Sequence, residues 1–151
     1  MQNVFEAKDA QEYINRINNL TPETQRKWGK MSVDQVLAHL NVAYDLTFTP
    51  EKFPKPSFIA KFLLSKFVKP KITNEIPYKP SLPTSPVFII ADERNFEEEK
   101  AKLIGNIQRV QQLGREAFEG KENINFGKMT AQGWNNMFAK HLNHHLDQFG
   151  V

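Results

Sequence analysis

The chain has 151 residues, a net charge of +3, 40% hydrophobic and 25% charged residues, and no cysteine. That length suits one domain with a single core, residues 1–151, and the composition argues against wholesale disorder. The absence of cysteine excludes disulfides, thiolate metal sites and a cysteine nucleophile, which leaves His, Asp and Glu as the strong protein ligands for a metal. Lysines occur along the whole sequence without a dense basic cluster or a recognisable module, so nucleic acid is not expected as a partner. The start, Met1–Glu6, lacks the basic-then-apolar pattern of a signal peptide, and no apolar run reaches the roughly 20 residues of a membrane span. A cytosolic chain with no transmembrane segment is the expectation.

In chain order, Ala10, Tyr13, Ile14, Ile17 and Leu20 recur at helical intervals and predict a first helix over residues 8–20. Thr21-Pro22-Glu23 reads as a cap with proline in the first turn, opening a short helical piece before Trp28-Gly29. Ser32 and Gln35 have the spacing of a capping box, and a second helix follows to Phe48, striped by Val33, Val36, Leu37, Leu40 and Tyr44. Residues 49–92 hold eight of the nine prolines, so no regular element runs through all of them. Within this insertion Ser57–Lys69 is proline-free and apolar nearly all round, a short helix that serves as a lid over the core or as a protein or membrane contact surface. Pro86–Ala91 reads as a short extended piece without a partner. A long third helix runs from Asn95 or Phe96 to Phe118, with Phe96, Leu103, Ile104, Ile107, Val110, Leu113 and Phe118 as its buried stripe and Gly114 weakening its end. Residues 119–127 connect it to a fourth helix, capped by Thr130 and closed at Gly150.

One pattern occurs twice. Trp28-Gly29-Lys30-Met31-Ser32 and Phe126-Gly127-Lys128-Met129-Thr130 each set aromatic, Gly, Lys, Met and a hydroxyl cap before a histidine-bearing helix. It is either an old duplication or two solutions to one capping problem. The order is helix, short link, helix, long proline-rich crossover containing a short helix, helix, short link, helix, which predicts an all-α four-helix bundle.

Three of the four histidines lie in the last helix. His141 and His145, four residues apart, stand one above the other on a helical face, a spacing that lets two imidazoles hold one metal ion. On a wheel stepped about 100° per residue, His145 falls inside the stripe of Trp134, Phe138, Leu142 and Phe149, while His144 sits on the opposite flank as a rim residue. His39 lies at the border of the second helix's apolar stripe and can also look inward. Depth is a second condition. At about 1.5 Å per residue His39 is about 10 Å past Ser32, and His141 and His145 are about 12 and 6 Å before Phe149. The levels coincide only if the second and fourth helices run antiparallel. Buried imidazoles need partners for both nitrogens, so three at one level predict metal binding by His39, His141 and His145. Gln148 and Gln35 are placed to line the site or orient ligands, with His144 in a surface or supporting role.

On His39 within Met31-Ser32-Val33-Asp34-Gln35-Val36-Leu37-Ala38-His39-Leu40, and on His141 with His145, the chain resembles the DinB-like superfamily that includes the YfiT-type proteins. Its ending, His141-Leu142-Asn143-His144-His145-Leu146-Asp147-Gln148-Phe149-Gly150, looks most like a branch catalogued only as a domain of unknown function. The resemblance implies an up-down-down-up four-helix bundle, a divalent metal, often nickel or zinc, on three histidines, and frequently a homodimer. Some members transfer low-molecular-weight thiols to electrophiles, and others are described as metal-dependent hydrolases. The insertion at 49–92 and the extra His144 depart from the better-known members.

The leading expectation is therefore an enzyme in which His39, His141 and His145 bind Zn²⁺ or Ni²⁺ and leave a position for water, a thiol or a substrate oxygen of a small molecule. The alternatives are a non-catalytic binding module with a vestigial or structural metal site, and attachment to a membrane surface through residues 57–69.

Overall fold

A computed structural model describes residues 1–80 and 82–151; Ser81, within the 49–92 crossover, lies outside the described residues. The chain is mostly helical: α1 (Ala7–Asn18), α2 (Val33–Phe48), α3 (Phe58–Leu63), α4 (Lys69–Thr73), α5 (Phe96–Leu113) and α6 (Ala131–Phe149). A two-stranded antiparallel ribbon, β1 (Glu122–Asn123) and β2 (Gly127–Lys128), pairs Glu122 with Lys128 and Asn123 with Gly127. Among the described residues no helix is long and apolar enough to cross a membrane.

The helical stripes bury as their spacing requires. Tyr13, Ile17, Leu37, Leu40, Leu103, Ile107, Trp134, Phe138, Leu142 and Leu146 are closed to solvent in one cluster drawn from α1, α2, α5 and α6. Each such side chain contributes about 1.5–3 kcal/mol by leaving water. Tyr44 stacks on Phe138 at 4.7 Å, and Phe118 packs edge-on against Trp134 at 5.6 Å. These contacts join α2 to α6 and the end of the α5 segment to the start of α6.

Contacts also fix the relative directions of the helices. From α2 to α5 they climb together: Arg94 N to Asp34 Oδ2 at 2.8 Å, Asn41 to Glu99 at 2.7 Å, Lys102 to Asp45 at 2.7 Å, and Arg109 over the Phe48 ring at 3.9 Å. Between α1 and α6 they also climb together, from Val4 N donating to Asn135 Oδ1 at 2.8 Å, through Asn143 to Tyr13 at 3.0 Å, to Arg16 with Asp147 at 2.7 Å. Between α2 and α6 the order reverses, because Tyr44 meets Phe138 whereas His39, earlier in α2, meets His141 and His145 later in α6. This is the antiparallel condition that the depths of the histidines demand.

Ends are set by caps. Ser32 and Gln35 form the capping box of α2, with Ser32 N donating to Gln35 Oε1 at 3.0 Å. Thr130 Oγ1 accepts from Gly133 N at 3.1 Å, and Gly150 closes α6 in the left-handed region at φ 75°, where a side chain is disfavoured. In both copies of the repeated five-residue pattern the glycine has positive φ, 82° at Gly29 and 67° at Gly127.

Several expectations are corrected. No helix forms at Thr21–Trp28: Thr21 N donates to Thr24 Oγ1 at 2.8 Å in a local turn, and Lys27 N is spent on Gln148 O at 2.7 Å. The third long helix stops at Leu113, which is 47% exposed, because Gly114 at φ 73° turns the chain into a 3₁₀ turn, Arg115–Phe118, that delivers Phe118 to the core. Residues 119–127 hold β1 and the first residue of β2, tied by Asn123 Oδ1 accepting from Asn125 N and Phe126 N at 2.9 and 3.2 Å. Pro86–Phe88 is a 3₁₀ turn rather than an extended piece. The helix expected over 57–69 continues past Pro70: α3, capped by Ser57, passes through a π turn, Leu64–Val68, into α4. Pro70 falls in the first turn of α4, where a missing N–H costs no intrahelical bond.

Candidate metal centre

Three elements deliver the site. α2 presents His39, α6 presents His141 and His145 one turn apart, and the 3₁₀ turn at Pro86–Phe88 brings a backbone carbonyl from the crossover. One ring nitrogen from each of the three histidines lies within 4.8 Å of the others. His39 Nε2 and His141 Nε2 are 2.8 Å apart, and the rings meet edge to face, with centroids 4.6–5.1 Å apart. His39 and His145 are buried, and His141 is partly open to solvent.

Hydrogen bonds outside the triad decide which nitrogens are bare. His39 Nδ1 lies 2.8 Å from the Phe88 carbonyl oxygen, which can only accept, so Nδ1 carries the proton and Nε2 keeps its lone pair. His145 Nδ1 lies 2.7 Å from Gln148 Oε1. The amide cannot be turned round, since Gln148 Nε2 donates to the Trp28 carbonyl at 2.7 Å. His145 is thereby held with its proton on Nδ1 and a lone pair on Nε2. Partners of this kind fix the tautomer and raise the basicity of imidazoles that ligate metals.

Electrostatics agree. Burial pushes His39 below the ordinary imidazole value, partly opposed by the bond to Phe88. It pushes His141 well below, with His39 and His145 adding like-charge repulsion, and takes His145 down to about 3. At neutral pH all three rings are neutral donors, the form a divalent cation requires. Three nitrogen donors with two preset tautomers, and no carboxylate in the cluster among the described residues, fit a borderline ion of the zinc or nickel kind better than magnesium or calcium.

The supporting residues sort differently. Gln148 is buried and holds His145. Gln35 does not join it: its oxygen serves the capping box and its nitrogen reaches Asp92 O at 3.4 Å. His144 stands beside the triad, its ring 4.9 Å from that of His145, 6.1 Å from Trp28 and 5.9 Å from Tyr78. It borders a cleft of about 270 Å³ that Trp28, Tyr78, Lys140 and Asp147 also line. Lys140 is 3% exposed and donates to Lys71 O and Asn74 Oδ1, both at 2.7 Å, with its ammonium 4.5 Å from the Tyr78 ring centre. Burial pushes the Tyr78 hydroxyl up to about 12 and lowers Lys140.

Sequence reasoning missed Phe88, Trp28, Tyr78 and Lys140. Phe88 and Trp28 act through backbone carbonyls, which carry no residue-type signal, although the repeated Trp28-Gly29 pattern marked the place. A Cβ at Gly29 would lie 2.5 Å from Gln148 Nε2, so this glycine lets the loop close on the residue that orients His145.

A family model described as "Protein of unknown function (DUF1569)" matches residues 2–150. No curated protein matches, and no solved structure matches.

Proposed function

We propose that this chain, which belongs to the DUF1569 family, is a metal-dependent enzyme in which His39, His141 and His145 hold one divalent ion, zinc or nickel. The observation that carries the reading is the pair of preset tautomers, His39 on Phe88 O and His145 on Gln148 Oε1, both leaving Nε2 bare toward the same small volume. Kinship with DinB-like and YfiT-type proteins belongs to this proposal, and so does an up-down-down-up bundle. In support stand the parallel contacts of α2 with α5 and of α1 with α6, and the reversed order between α2 and α6.

Bound there, such an ion supplies a Lewis acid that lowers the pKa of a water or thiol at an open position. The protein's part is to hold three neutral imidazoles and to keep the Nδ1 protons of His39 and His145 off the ion. A thiol in water titrates at about 8.5 and water itself at about 15.7, so the thiol needs much the smaller shift to ionise, its proton passing to solvent. Thiol transfer to a small electrophile is therefore favoured over hydrolysis, with the cleft beside His144 receiving the organic part of the substrate between Trp28, Tyr78 and Lys140.

The test is a transfer assay on zinc- or nickel-reconstituted protein, with low-molecular-weight thiols and an activated aryl chloride. The sulfur–carbon bond forms as chloride leaves. The expected result is an acceleration abolished by His141→Ala. No acceleration with either metal and any thiol overturns it and leaves a non-catalytic module with a structural ion, and acceleration that survives His141→Ala overturns the assignment of the activity to this site.

A further inference from the structure

The helical run from Phe58 to Thr73 is apolar on both its inner and its outer side. Its inner side, Leu64, Val68 and Ile72, packs on the core. Its outer side, Phe58, Ile59, Phe62, Leu63 and Phe67, faces water at 87%, 70%, 54%, 47% and 57% exposure. These positions recur at i, i+1, i+4, i+5 and i+9, one continuous helical stripe, and contiguous apolar surface of this kind marks an interaction site.

Charge identifies the occupant. Residues 50–73 contain six lysines and one glutamate, net +5, whereas the chain as a whole carries only +3, so everything else is net −2; Lys61 is paired with Glu122 at 2.8 Å, which leaves the face at +4. Lys66 is exposed within the stripe, its ammonium 5.9 and 5.6 Å from the Phe62 and Phe67 ring centres, and Lys55 is exposed just before it. A second copy meeting this face about a two-fold axis would set one positive surface against another. An anionic lipid surface meets both features, since phenyl rings enter the headgroup boundary while lysines snorkel to the phosphates.

The segment is also firmly mounted. Lys69 Nζ donates to Lys128 O at 2.6 Å, Asn136 donates to Thr73 O at 2.7 Å, and Lys140 donates to Lys71 O at 2.7 Å. The end of the run is thus tied to the ribbon and to α6, and Lys61 Nζ, within the stripe's own helix, reaches Glu122 Oε1 of the ribbon at 2.8 Å. We propose that Phe58, Ile59, Phe62, Leu63 and Phe67, with Lys55 and Lys66, form a surface that docks the protein on membranes containing anionic lipid.

The experiment is flotation of the full chain with vesicles of phosphatidylcholine alone and of phosphatidylcholine with an equal part of phosphatidylglycerol. Binding is expected only to the mixed vesicles and is expected to weaken with salt. Lys55→Gln and Lys66→Gln should each weaken it about fivefold, the worth of one lysine at such a surface. Phe58→Ser with Phe62→Ser should weaken it more than about tenfold per ring removed. Because the altered side chains are exposed, unchanged circular dichroism and Tm verify that these variants fold. In Phe62→Trp, quenching by brominated lipid locates the stripe at the bilayer. No binding to mixed vesicles, equal binding by the double Phe variant, or a self-association removed by the same substitutions without vesicle binding overturns the proposal, the last result assigning the face to a second copy.

Discussion

Replacing Gln148 with methionine keeps nearly the same volume and removes the acceptor that holds the His145 Nδ1 proton at 2.7 Å. Gln148 is 3% exposed, so water does not easily take its place. A buried donor left without an acceptor costs about 1–3 kcal/mol. The imidazole escapes that cost by moving its proton to Nε2, the nitrogen a cation needs bare. Loss of an orienting partner typically lowers metal affinity about 10- to 100-fold, which equals about 1.4–2.7 kcal/mol. The two routes agree in size. Gln148→Met is therefore expected to bind zinc about 10- to 100-fold more weakly in a titration against a competing chelator, and to show a smaller zinc-induced rise in Tm. Gln148→Glu retains an acceptor and should lose less. A methionine variant that folds normally and binds zinc within twofold of the parent refutes the reasoning, because His145 would then not depend on this bond for its ligating form.

Gly29→Ala should disturb the same contact from the other side: φ is 82° and the new Cβ would lie 2.5 Å from Gln148 Nε2. The left-handed backbone alone costs about 1–2 kcal/mol, so a lower Tm and weaker zinc binding are expected together, and an unchanged zinc affinity would count against the role of the loop. Leu103→Ala, at a fully buried position, should cost about 2–5 kcal/mol in denaturant unfolding. It should leave the metal stoichiometry intact, and a lost ion would show the site to be less locally built than described. Acid should destabilise the chelator-treated protein. Burial depresses His39, His141 and His145 in the fold, so below about pH 6.5 the unfolded chain takes up protons that the native chain refuses. Stability then falls with pH by up to about 1.4 kcal/mol per unit for each histidine, down to about 3 for His145. A flat urea midpoint between pH 7 and pH 5 contradicts this, and His145→Asn should flatten the curve in part.

The four long helices were legible because their burial follows a 3.6-residue period and their ends are marked by Ser32, Asn95, Thr130 and Gly150. The convergence of the histidines was legible for a related reason, since helical rise turns sequence position into depth and His39 matches His141 and His145 in one relative direction only. What escaped has no periodic signal. The ribbon at Glu122–Lys128 has two residues per strand and is held by the Asn123 side chain. The passage of a helix through Pro70 depends on a π turn that places proline where an N–H is dispensable. Thr21–Trp28 has helix-start residues but gives its backbone to the end of α6, a tertiary bond that overrides local preference. The orienting carbonyls of Phe88 and Trp28 are set by chain path and not by side-chain type.

Elemental analysis of protein purified without a histidine tag, after exposure to zinc or nickel and removal of excess, tests the central claim most directly. The parent chain should carry about one ion, by the three-ligand chemistry of such sites. His39→Ala, His141→Ala and His145→Ala should each lose it while keeping their helical circular dichroism. A parent chain that holds no stoichiometric ion, or an ion retained in both His141→Ala and His145→Ala, would contradict the account.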